Sequence, residues 1–321
     1  MSRVTIVGPG GLGSTIAALL AHRTACEVQI VSRPSAHIEA IRERGLRLCG
    51  LDECTVQIDA TDDPGSIQDC DFLIYLMKAQ DTQAALEQTK HIQIRSAAVS
   101  LQNGVIKDDL LSAAFGPDKV IGGLAIAAGE RPEPGFAKWT YDGITQFGEL
   151  DGTDSARVAE LVALFQQAGF NTESSRAVLS STWTKMVAWV PLGLIACLAH
   201  TNNAATLADA QLTPTYMGLV REFSALAAAR GVPLTDIGPY HVKTWCQGSV
   251  EEAVEVVMQS PLAASQSMHS GLQDVLKGRR TEFAACVGPM LQEAEDRGIS
   301  MPAVQVLYSV LLGREKSLNL V

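Results

Sequence analysis

The chain has no cysteine framework. Its seven cysteines, at positions 26, 49, 54, 70, 197, 246 and 286, are scattered, odd in number and without a C-x-x-C pair. That argues against a disulfide-stapled fold and against a zinc centre, leaves no metal site to expect, and fits a reducing cytoplasm. Positive charge is also in deficit: the formal net charge is −10 and the pI about 5.1, so nucleic acid would be repelled. No apolar run reaches the roughly 20 residues a membrane span requires. The best candidate, "WTKMVAWVPLGLIACLA" at 183–199, has 14 uncharged residues after Lys185 and contains Pro191 and Gly193. Internal repeats and low-complexity linkers are missing, and the N-terminus enters a strand-like run with no targeting signal before it. The expectation is a soluble cytoplasmic protein with no membrane or nucleic-acid partner.

What is present is apolar mass. Hydrophobic residues make up 47% and charged residues 19% of 321 positions, enough for two well-buried cores. The first core opens with "RVTIVG" (3–8), a β-branched run, followed by "GPGGLGSTIAALLAHR" with Ile16, Leu19 and Leu20 at helical spacing. Strand, glycine turn and helix follow in order. Gly8, Gly10 and Gly13 satisfy G-x-G-x-x-G: the first permits a tight turn, the second lets backbone approach a pyrophosphate, and the third lets helix pack on strand. The second strand, "CEVQIVSR", ends in Ser32 and Arg33, where an acidic residue would bind the ribose 2′-hydroxyl of NAD. A hydroxyl and a guanidinium suit a 2′-phosphate instead, so NADP(H) is the expected cofactor. The plain alternative is a surface arginine.

Further strands are expected at 71–79, 97–104, 119–128 and 143–150, alternating with helices. The first two end in Lys78 and Asn103, and in a parallel sheet such strand ends form the ligand crevice. Beyond "GFNTESSRAV" (169–178) the strand pattern gives way to helical periods. The division is set near residue 175, giving a domain 1–175 and a domain 176–321. In the second, a helix from about 181 carries Lys185, with Trp189 and Gly193 one and two turns on near the same face. Pro191 removes an amide from it and should kink it. A lysine among apolar residues either snorkels to water or faces a cavity that uses it. A helix over 262–277 is expected to stop at Gly278, and another to start from an N-cap at Thr281 with Glu282 in its first turn. A glutamate there stabilises a helix through its dipole whether or not it has another role. The stretch "VQVLYSVLL" (304–312) reads equally as the face of a homodimer or as a core helix.

Together these residues resemble the ketopantoate reductase (2-dehydropantoate 2-reductase) family. The resemblance rests on "GPGGLG", "MKAQDT" at 77–82, "LQNG" at 101–104, "WTKM" at 183–186, "HSGLQD" at 269–274 and "GRRTE" at 278–282. It implies an α/β fold, an N-terminal Rossmann-type parallel-sheet domain followed by an all-helical C-terminal domain, and NADPH-dependent reduction of a small 2-oxo acid. Carried over by motif, Lys185 is the proton donor and Glu282 orients it. Gly8, Pro9, Gly10, Gly11, Leu12, Gly13, Ser32, Arg33, Lys78, Asn103 and Ala128 hold the cofactor. Asn103, Lys185, Trp189, Gly193, Asn203 and Ser270 contact substrate. An ammonium at hydrogen-bond distance stabilises the charge that grows on a ketone oxygen as hydride arrives, and burial lowers a lysine's pKa and makes it a better acid.

The chain departs from the family where asparagines would follow the lysine by one and two turns. Trp189 and Gly193 stand there, removing polar contacts and adding an aromatic wall. Two readings stay open: ketopantoate bound by other groups, or a bulkier, more apolar 2-oxo acid of the D-mandelate dehydrogenase kind. A β-hydroxyacid dehydrogenase is disfavoured by "GRRTE" and "LQNG", and a non-catalytic NADP sensor by the pairing of Lys185 with Glu282.

Overall fold

The computed structural model describes residues 1–320 and divides between Val178 and Leu179 into two compact units. The first contains β1 (Arg3–Val7), α1 (Gly11–Arg23), β2 (Glu27–Val31), α2 (Ala36–Arg44), β3 (Leu46–Gly50), β4 (Cys54–Val56), β5 (Asp59–Thr61), β6 (Asp69–Tyr75), α3 (Thr82–Thr89), β7 (Gln93–Ser100), α4 (Lys107–Phe115), β8 (Val120–Ala125), β9 (Ala128–Glu133), β10 (Phe136–Tyr141), β11 (Thr145–Gly148), α5 (Ala156–Gln167) and β12 (Thr172–Ser174). Eight strands form one sheet in the order β12-β11-β8-β7-β6-β1-β2-β5. All neighbours are parallel except β11 on β8. Helices cover both faces, so the central strands are apolar on both sides: in β6, Phe72 and Ile74 join one core while Leu73 and Tyr75 join the other.

A second sheet, β4-β3-β10-β9, was not foreseen. The reading of 119–128 as one strand missed that β8 stops at Ala125 and that Ala128 begins the hairpin β9–β10. The sequence signal is weak because β9, "AGERPE", is almost wholly exposed and lacks the alternation of a half-buried strand. This sheet packs on α1 from the side opposite the main sheet. Covered on both sides, α1 buries a continuous run from Gly13 to Leu20.

His37, on α2, ties these layers together. Its Nδ1 accepts the Gly135 N–H at 2.9 Å, which leaves the proton on Nε2 to donate to Ser14 Oγ at 3.0 Å. The Ser14 hydroxyl then donates to the Pro9 carbonyl at 3.0 Å. The β9–β10 turn is thereby linked through a neutral imidazole to the glycine turn.

The second unit contains α6 (Val178–Ala199), whose first residue closes the first unit, then α7 (Asn203–Leu207), α8 (Leu212–Ala229), α9 (Val242–Trp245), α10 (Val250–Met258), α11 (Ser270–Leu276), α12 (Phe283–Asp296) and α13 (Pro302–Ser317). Among the described residues it has no strand, only a bridge between Ile237 and Tyr240. By length and composition α6 could cross a membrane, contrary to the count of uncharged residues, but 89% of its most apolar window is buried in the protein. It runs unbroken through Pro191. The stretch 304–312 divides: Val304 and Leu311 are buried, while Val306 and Val310 face outward.

Two expected helix boundaries moved. Residues 262–269 are not helical, because the carbonyls of Ser265 and Ser267 accept the amides of Ala204 and Asn203 at the start of α7. His269 then caps α11, its ring accepting the Gly271 N–H at 3.0 Å. For α12 the N-cap is Glu282 rather than Thr281. The Thr281 hydroxyl and amide both donate to Glu315 Oε1, at 2.6 and 2.8 Å, charge-assisted bonds that hold the turn before α12, and the same hydroxyl accepts the Phe283 N–H at 3.5 Å.

The His37 link gives the fold an acid sensitivity. Burial, with a smaller push from the Arg131 guanidinium, lowers the imidazole from 6.5 to about 4. Between those values the unfolded chain holds a proton that the folded chain does not, so stability falls as pH falls through this window, by at most about 3 kcal/mol. Urea midpoints measured between pH 7 and 4.5 should fall less steeply in His37→Gln than in the parent; equal slopes would place the titration elsewhere.

Candidate active site

The glycine turn is built by steric exclusion. Gly8 has φ +82°, and a Cβ there would stand 2.5 Å from the Met77 Cβ, so the end of β1 can lie against the segment leaving β6 only without a side chain. At Gly13 a Cβ would stand 2.9 Å from the Gly8 carbonyl oxygen, which fixes α1 on the strand end. Gly11 serves a different contact: its Cβ would lie 2.0 Å from the Gly129 carbonyl, so it seats the second sheet. Gly10 is unlike the others. A Cβ there meets nothing closer than the Leu76 carbonyl at 3.8 Å, so the protein itself does not require glycine at this position. The N-cap of α1 is Gly10, which has no side chain to cap it. Open space over Gly10 beside the exposed end of a helix suits the approach of a phosphate group.

Beside this turn lies a cavity lined by Gly8, Ser32, Arg33, Met77, Asp81 and Gln88, among others. Arg33 and Asp81 face each other at 3.3 Å, with the Arg33 side chain 73% exposed. The arrangement fits a dinucleotide: a glycine turn for its pyrophosphate and, next to it, a hydroxyl and a guanidinium at the end of β2. Lys78 and Asn103 follow β6 and β7, which are neighbours in the sheet, and both are half-buried. Gln102 joins their two segments. Its amide donates to the Met77 carbonyl at 3.0 Å and to Thr82 Oγ1 at 2.8 Å, and its oxygen accepts from Ser100 at 2.9 Å. Gln102 sits inside "LQNG" but has no role there by motif. A buried amide flanked by two half-buried polar loops is a signal that burial, not spacing, reveals. Ala128, the first residue of β9, adjoins the Gly129 contact with α1.

In the second unit Lys185, Trp189 and Gly193 share a face of α6, and Lys185 is only 8% exposed. The Trp189 ring stacks on Phe283 at 5.5 Å and lies against His269 at 4.4 Å, tilted by 41°. Phe283 directly follows Glu282, so the start of α12 docks on α6 one turn from Lys185. Gly193 leaves no empty space. A Cβ there would meet His269 at 2.3 Å and Phe283 at 2.5 Å, so the volume of the expected side chain is filled by two rings from elsewhere in the chain. His269 is fixed in one tautomer, since its Nδ1 accepts the Gly271 N–H while Nε2 faces the Trp189 carbonyl at 3.1 Å. Asn203 donates to Ser267 Oγ at 3.4 Å, and its Oδ1 is buried without a partner among the described residues. Ser270, half-buried, opens α11 three residues after Ser267. Glu315, which no motif marked, holds the turn that carries Glu282.

Two parts of one family description match in chain order: ketopantoate reductase PanE/ApbA over residues 4–152, and the ketopantoate reductase PanE/ApbA C-terminal part over residues 177–315. The chain belongs to the ketopantoate reductase family. That places it among oxidoreductases acting on a CH–OH group. Its relatives include the 2-dehydropantoate 2-reductases of Halobacterium salinarum and Pyrococcus horikoshii, each 27% identical, over 96% and 98% of this chain and 97% of theirs. Among solved structures, the PanE/ApbA family ketopantoate reductase from Ralstonia eutropha superposes with a TM-score of 0.84 at 25% identity over 99% of both chains. The ternary structure of D-mandelate dehydrogenase with NADH and anilino(oxo)acetate gives 0.85 at 19% identity over 99% of this chain and 100% of that one, a likeness of fold.

Two substitutions test the steric argument. Gly10→Ala should leave the melting temperature unchanged yet weaken dinucleotide binding about tenfold, whereas Gly13→Ala should lower the melting temperature; loss of stability in both would remove the distinction. Gly193→Asn should destabilise by about 1–3 kcal/mol through overpacking, read from urea midpoints. His269→Ala in the same chain should recover part of that loss, and additive effects would show that the two do not compete for one space.

Proposed function

We propose that the chain reduces the keto group of a 2-oxo acid with NADPH, with 2-dehydropantoate as substrate and pantoate as product. The observation that supports this most is the buried Lys185 on α6 with the Glu282 turn docked one helical turn away, in a chain that matches 2-dehydropantoate 2-reductases along nearly their whole length. Gly8 to Gly13, Ser32, Arg33, Lys78, Asn103 and Ala128 would hold the cofactor, with Arg33 on the 2′-phosphate; when bound, it supplies hydride to the carbonyl carbon. The Lys185 ammonium donates a hydrogen bond to the carbonyl oxygen, stabilises its growing charge and delivers the proton that completes the hydroxyl. Glu282 accepts from the lysine or from the substrate and restricts the lysine's rotamers. Asn203 offers a buried acceptor to a substrate hydroxyl, and Ser270 a donor to the carboxylate.

A second reading draws on the stack of Trp189, His269 and Phe283. Rings occupy the places where the family resemblance puts asparagines, which favours a larger, less polar 2-oxo acid.

The test is the loss of NADPH absorbance with 2-dehydropantoate beside a panel of aliphatic and aromatic 2-oxo acids. Efficient turnover of 2-dehydropantoate, falling about 10²- to 10⁴-fold in kcat in Lys185→Ala, is the expected result. Turnover confined to aromatic acids would move the substrate to the second reading, and full activity in Lys185→Ala would end the proton-donor role.

A further inference from the structure

The charged residues lining the cavity next to the glycine turn are Arg33 and Asp81, and they face each other. We propose that Asp81 is a specificity-determining residue for the cofactor, setting how strongly the site prefers NADPH over NADH. This rests on the reading that Arg33 receives the 2′-phosphate.

Asp81 is placed as a helix cap but does not act as one. It is the N-cap of α3, where an aspartate ordinarily accepts an amide of the first turn, yet its side chain makes no such bond. The turn before the helix is held by backbone instead, the Asp81 N–H donating to the Lys78 carbonyl at 2.9 Å. The carboxylate reaches across the cavity to the Arg33 guanidinium, 48 residues away in sequence. A pair this exposed contributes little to stability, so its consequence lies with the ligand.

A ribose 2′-hydroxyl can donate to Asp81 without disturbing the pair. A 2′-phosphate, carrying close to two negative charges near neutral pH, must draw Arg33 away from Asp81 and then sit beside a like charge. Arg33 alone would favour NADPH strongly, whereas Arg33 held by Asp81 lets the site take NADH as well. The carboxylate that binds ribose in NAD-dependent enzymes comes from the end of the second strand; here an equivalent group enters from the segment after β6. Sequence position therefore hides it.

Dissociation constants for NADPH and NADH, measured by calorimetry on the parent, Asp81→Asn, Asp81→Ser and Arg33→Ala, test the proposal. Asparagine and serine cap helices as well as aspartate does, so both variants keep α3. The expected result is a rise of about tenfold in the NADPH-over-NADH preference in both Asp81 variants, carried mainly by tighter NADPH and diminished at high salt. Arg33→Ala should abolish the preference. If Arg33→Ala abolishes it while neither Asp81 variant changes it, the role of Asp81 is overturned and the 2′-phosphate reading stands. If Arg33→Ala leaves NADPH affinity unchanged, both fall together.

Discussion

The nucleotide half depends on one close approach of backbone: Gly8, at the end of β1, against Met77, where the chain leaves β6. That contact brings the glycine turn beside the segment that carries Lys78 and Asp81. Gln102 extends the same assembly to the segment that carries Asn103. Gly13 fixes α1 on the strand end and Gly11 fixes it against the second sheet. With the turn held on these sides, Gly10 is the glycine of the turn over which space stays open. The His37 chain of hydrogen bonds adds a polar hold on Pro9 in the same turn.

The helical half applies the same device to a different end. Gly193 admits two rings from the chain around 269–283, and those rings clamp Trp189 and bring the start of α12 against α6. The glycine at 193 and the imidazole at 269 therefore depend on one another, since a side chain at 193 would take the place of the ring. This part of the unit keeps polar groups, since His269 contacts the Trp189 carbonyl and Asn203 has a buried acceptor.

Much of this was legible in the sequence because it is carried by periodicity and by glycine. The β1–α1 turn, the parallel order of β1, β2, β6 and β7, and the lysine-bearing helix each have a local signature. What was not legible depends on contacts between distant segments. The exposed hairpin β9–β10 has no apolar alternation, and the region before α11 is held open by carbonyls pairing with α7. The Thr281 hydroxyl donates to a carboxylate 34 residues away while it accepts an amide of its own helix at 3.5 Å. Asp81 looks like a helix cap until Arg33 is seen opposite it, and Gly193 looks like a vacancy until His269 is seen filling it. Spacing identifies which residues share an element, but not which side chain from elsewhere comes to meet them.

The most direct test of the account is hydrogen exchange along the whole chain with and without saturating NADPH. Slowed exchange is expected at the amides of residues 10–14, where open space lies over the start of α1, and at 32–33 beside the cavity, with smaller changes in the strands that support them. Binding with no protection at 10–14, and protection confined to other segments, would contradict it.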